Sequence, residues 1–108
     1  MSATTSRRKK TPIPLPFVTE NSWWHVKSTG DFGRDQQLGS DYAIQWLRWE
    51  VAEAARQDTH PALLHILSAM KNYDDGIESG FIHMVGFAAR DGLAAAERLQ
   101  AYWKSKMR

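Results

Sequence analysis

From Ser40 to the end of the chain, apolar residues recur at helical spacing, and the run is interrupted at three places that stop helices. That pattern commits most of the molecule to helices. Ser40 or Asp41 is placed to cap a first helix, Asp41–Gln57, on which Ile44, Leu47, Val51 and Ala55 form an aliphatic stripe. Asp58 or Thr59 caps a second, with Pro61 in its first turn and Ala62, Ile66, Ala69 and Tyr73 on its buried side. A third follows the break at Asn72–Asp75. There Ile77, Phe81, Met84, Val85 and Ala88 share one face, while Asp74, Asp75 and Glu78 lie near the end where carboxylates favour the helix dipole. The Asp91-Gly92 pair breaks or bends the chain. Leu93–Met107 then forms a fourth helix, alanine-rich at first and basic at its end. The expected fold class is mainly α: a small bundle of three to four helices.

The first forty residues read differently. Met1–Thr11 is basic, rich in Ser and Thr and nearly free of large apolar residues, the composition of a disordered tail. In Pro12-Ile13-Pro14-Leu15-Pro16, proline at every second position fixes φ and keeps each preceding residue extended, giving a stiff arm. Such arms dock into a partner's aromatic groove or lie across their own domain. With Ile13, Leu15 and Phe17 alternating and in need of burial, the second use is expected. Ser22–Ser28 is rich in β-formers but has no strand to pair with, so it reads as one short strand or an extended segment anchored by Trp23 and Trp24. Thr29–Ser40, with three glycines and two aspartates, reads as a loop. The expected organisation is a tail over 1–11, an extended arm and Gly-rich loop over 12–40, and a helical domain over 41–108.

At 108 residues the chain makes one small domain. Its 43% hydrophobic and 24% charged residues are ordinary for a globular protein, and its mean hydropathy is -0.51. No run approaches the ~20 apolar residues of a bilayer span, and Met1–Lys10 lacks the apolar stretch of a signal peptide. A cytoplasmic protein without membrane contact is expected. With no cysteine there is no disulfide, no thiolate nucleophile and no Cys-based zinc site.

Charge is segregated. Arg7, Arg8, Lys9 and Lys10 put four positive charges at one end, and Arg98, Lys104, Lys106 and Arg108 put four at the other. Thr11–Glu97 holds six basic residues against all twelve acids, so the pI of about 9.1 describes the ends and not the body. Nucleic-acid binding would fall to those ends, helped by aromatic residues able to stack on bases, such as Trp23, Trp24, Tyr102 and Trp103. Trp103, however, falls on the apolar stripe of the fourth helix with Leu93, Ala96, Leu99 and Met107, which makes it a core residue first. A helix-turn-helix reading of helices two and three fails on charge, since Asp74, Asp75 and Glu78 would face phosphate.

On the first helix Tyr42, Trp46, Trp49 and Glu53 lie opposite the aliphatic stripe. A helix with two apolar faces is either the covered centre of a bundle or carries an exposed aromatic patch, with Arg48 and Arg56 at its edge. No catalytic motif accompanies it. His60 and His65 are five apart instead of the four that would align them on a helix, His25 and His83 stand alone, and His83 lies on a polar face near Ser79 and Arg90. Asp31–Asp35 misses the calcium-loop pattern at Gly33 and Gln36, and Thr29–Gly39 has no phosphate-loop signature. The expectation is a non-enzymatic binding or regulatory protein without metal or cofactor, an occluding inhibitor or adaptor. It would meet a protein partner or a second copy through Tyr42, Trp46, Arg48, Trp49 and Arg56 together with the arm. The alternative is a nucleic-acid-binding accessory protein using the basic ends.

Overall fold

A computed structural model describes residues 13–56, 63–70 and 75–106; the side chains of 53–56 lie outside that description. So do the tail over 1–11, the second helix's capping residues with Pro61 and Ala62, Tyr73, Asp74 and the chain end at Met107 and Arg108. The described residues form four helices: α1 (Phe32–Arg56), α2 (Leu63–Ala69), α3 (Gly76–Asp91) and α4 (Leu93–Lys106). There is no strand among the described residues. The mainly α small bundle expected from the apolar spacing is the fold.

α1 begins nine residues before the expected start at Asp41, and so absorbs most of the segment read as a Gly-rich loop. The Asp31 carboxylate accepts the Arg34 N–H (3.2 Å), which satisfies an otherwise orphaned donor of the first turn. Of the glycines that argued for a loop, Gly39 serves helix packing instead, together with Gly76 and Gly80 of α3. A Cβ built at Gly39 would overlap the Ile77 carbonyl and stand 2.8 Å from the Phe81 nitrogen; one at Gly80 would overlap the Gln36 carbonyl; one at Gly76 would come within 2.7 Å of the Asp35 Cβ. Three missing side chains let α1 and α3 pack backbone against backbone. The intrinsic cost of glycine in a helix, about 1 kcal/mol each, is offset by that contact.

The pairing Gly76 with Asp35 and Gly80 with Gln36 shows that α1 and α3 run in the same sense, so the chain between them, carrying α2, is a return crossover. α3 is capped by Asp75, whose carboxylate accepts the Ile77 N–H at 2.9 Å. It ends at Gly92, φ +97°, a conformation that strains any residue with a Cβ. α4 starts at the next residue and runs back antiparallel to α1, with Glu97 against Arg48 and Lys104 against Asp41.

The arm lies on its own domain. Pro16 occupies the second position of a turn closed by Val18 N–H to the Leu15 carbonyl (3.1 Å), and Leu15 and Phe17 enter the core. Phe17 is fully buried, its ring 5.2 Å from Trp24, 5.1 Å from Tyr42 and 5.8 Å from Phe81. Ser22–Ser28 is not a strand; the His25 N–H donation to the Phe17 carbonyl (2.7 Å) ties it to the arm. Trp24 joins the core and Trp23 stacks on His65 of α2, 5.2 Å between centroids. The arm and helices therefore share one core, and the expected division at residue 40 falls inside α1.

A candidate contact surface on α4

Asp35 is the most deeply buried charged residue described, 2% exposed. Burial alone would push its carboxyl up. The Ser28 hydroxyl (2.6 Å), the Thr29 hydroxyl (2.8 Å) and backbone N–H groups of that turn donate to it and hold it below the ordinary carboxylate value. With all those donors supplied by its own chain, Asp35 pins the segment before α1 to the helix. Burial and the Asp41 charge push the Tyr42 hydroxyl up, which keeps it protonated.

Each expected contact residue has a definite place. Trp46 is 5% exposed, in ring contact with Phe81, and belongs to the core. Tyr42 is half-buried against Phe17 and Trp24; Trp49 is half-buried and packed on the same core. Arg48 is exposed and donates to the Glu97 carboxylate at 2.6 Å, across α1 and α4. The Arg56 side chain is outside the described residues. On the opposite stripe Ile44 is buried, Leu47 half-buried and Val51 exposed. From Tyr42 to Leu47 α1 is thus covered on two sides, as the bundle-centre reading requires. The indole N–H groups of Trp24 and Trp46 are buried without an acceptor among the described residues.

Among residues weighed for nucleic acid, Arg7, Arg8, Lys9, Lys10 and Arg108 lie outside the described chain. Arg98 is exposed, Lys104 reaches Asp41 at 2.9 Å, and Lys106 lies 5.5 Å above the Tyr102 ring. Tyr102 is 57% exposed and Trp103 37% exposed. Trp103 therefore departs from its expected place in the core. It shares the lining of one groove with Gly33 of α1 and Gly80 of α3.

Where those three helices meet there is a groove of about 270 Å³, walled by Gln36, Gln37, Ser40, His83, Trp103 and Lys106, with Gly33 and Gly80 completing it. Sequence spacing did not reveal it, because its walls come from three helices. Beside it Gln100 Nε2 donates to the Gln37 carbonyl at 3.4 Å, while Gln37 Nε2 and Gln100 Oε1 are buried without partners among the described residues. A wider depression of about 510 Å³ is lined by the arm turn at Thr19–Trp23 and by His65 and Ser68 of α2. Among the described residues no three His, Asp or Glu side chains gather as metal ligands would, and no helix is long and apolar enough to cross a membrane. Compared with protein-family models, curated proteins and solved structures, the chain matches none.

Proposed function

We propose that this chain is a small, non-enzymatic, cytoplasmic binding protein that acts by protein contact, through the exposed half of α4, as an adaptor or by covering a partner's working surface. The observation that supports this reading is the division among the aromatic residues. Phe17, Trp24, Trp46 and Phe81 are consumed by the core, whereas Tyr102 and Trp103 stand exposed beside Lys106. Tyrosine, tryptophan and arginine dominate binding hot spots because each gives large contact area and a polar tip at modest entropic cost. Arg98 lies on the same helix and is exposed. The partner is a larger protein or a second copy of the chain.

A second reading, a nucleic-acid accessory protein, is favoured by one feature: the exposed Tyr102 ring lies under Lys106 on a helix that also carries Arg98 and Lys104. Against it stands the engagement of Lys104 by Asp41, which leaves one cation fewer for phosphate. Replacement of Tyr102 by the photo-crosslinker p-benzoylphenylalanine separates the two. On irradiation in a cell extract, protein contact predicts a discrete, nuclease-resistant protein adduct from position 102 and none from the same label at exposed Ala52. Adducts that vanish with nuclease would favour nucleic acid, and equal labelling from both positions would remove α4 from the account.

A further inference from the structure

The groove between α1, α3 and α4 has a chemistry of its own. Among the described residues none of its lining is acidic, while His83 and Lys106 stand on its walls. Arg48, Arg90 and Lys104 are each matched by a carboxylate of this chain; Lys106, by contrast, pairs with no carboxylate among the described residues and rests on the Tyr102 ring. Its charge is therefore available to an incoming group. Gln36 and Ser40 add polar groups partly engaged within the fold, at long distances: Gln36 Nε2 to the Ser79 hydroxyl at 3.5 Å and the Ser40 hydroxyl to the Gly80 carbonyl at 3.4 Å. The Trp103 indole supplies an apolar wall. The volume lies just below the ~300–1,000 Å³ usual for small-molecule pockets, which suits a single side chain presented by a larger molecule.

We propose that this groove is the recognition pocket for an acidic peptide segment of a protein partner. One apolar side chain of the segment packs against Trp103, and the flanking carboxylates meet Lys106 and the His83 ring N–H. The assignment rests on the protein-contact reading and adds the chemistry of the partner. Charge complementarity selects the occupant: a basic segment would meet Lys106 with no carboxylate on the groove walls to receive it. A seat for one anchor side chain with a charged rim is also how short segments gain affinity without a large interface.

The test is a titration of the full ¹⁵N-labelled chain with a blocked seven-residue peptide carrying tryptophan between runs of glutamate. Its counterparts have lysine in place of glutamate, or alanine in place of tryptophan; single-stranded oligothymidylate is a separate arm. The expected result is chemical-shift change confined to residues 33–40, 80–83 and 103–106, with no binding of the lysine peptide and at least tenfold weaker binding of the alanine peptide. Trp103→Ala and Lys106→Glu are each expected to weaken binding at least tenfold with unchanged helical circular dichroism. Lys106→Glu keeps the proposal testable if Trp103→Ala disturbs packing, since Lys106 is exposed. Shift changes elsewhere, no binding of the glutamate peptide, unchanged affinity in Lys106→Glu, or tighter seating of oligothymidylate on the same residues would each overturn it. A protein adduct from position 102 that survives Lys106→Glu would overturn the groove assignment and leave protein contact standing, whereas absence of any protein adduct would overturn protein contact itself.

Discussion

Two glycines of α3 separate packing from propensity. At Gly80 an added methyl group would meet the Gln36 backbone, which cannot retreat without moving α1, whereas at Gly86 nothing lies within 4 Å. Gly80→Ala is expected to destabilise the fold by about 1–3 kcal/mol or more, as overpacked cores do. Gly86→Ala should stabilise it by about 0.5–1 kcal/mol through helix propensity and the unfolded chain's reduced freedom. Urea unfolding of both variants checks the opposite signs. Asp35 carries the pH dependence. Because its carboxyl titrates lower in the folded than in the unfolded chain, its contribution is fully present above the ordinary value of 3.8 and is lost as pH falls through the depressed folded value. Stability measured from pH 6 down to 2 should therefore drop below about 3.8, and Asp35→Asn should lower stability at pH 6 while flattening that drop. An unchanged slope would remove Asp35 as its source.

At the scale of elements, the arm contributes to the fold as a helix would. Phe17→Ala empties a fully buried site bounded by Trp24, Tyr42 and Phe81, and a loss of about 3–5 kcal/mol is expected by thermal or urea unfolding. Asp75→Ala removes the α3 cap and should cost about 1 kcal/mol. The apolar spacing of Ile77, Phe81, Met84 and Ala88 made α3 legible, and the alternation of Ile13, Leu15 and Phe17 made the arm's burial legible, because both are local patterns. The start of α1 was not legible. Gly33 and Gly39 carry the local signature of a loop; the close approach of α3, some forty residues away, explains Gly39, while Gly33 has only its own chain's Asp31 side chain beside it. The groove was hidden because its walls come from three helices, and the exposure of Trp103, which lies on the apolar stripe of α4, depends on how that helix sits on the other two.

At the scale of the molecule, the account divides the aromatic residues into those that hold the fold and those left for contact. Phe17, Trp24, Trp46 and Phe81 point inward, Phe32 at the start of α1 is exposed, and α4 turns Tyr102 and Trp103 outward with Lys106, the one lysine or arginine among the groove's described walls, beside them. The exposed ion pairs Arg48–Glu97 and Lys104–Asp41 hold α4 in register and add little stability, at most about 1 kcal/mol each. The most direct test of that division is equilibrium urea unfolding of Trp46→Ala beside Trp103→Ala. The account predicts a loss of about 3–5 kcal/mol for Trp46→Ala, as for other buried aromatic residues, and no more than about 1 kcal/mol for Trp103→Ala. Comparable losses for both, or a larger loss at Trp103, would place α4's tryptophan in the core and contradict it.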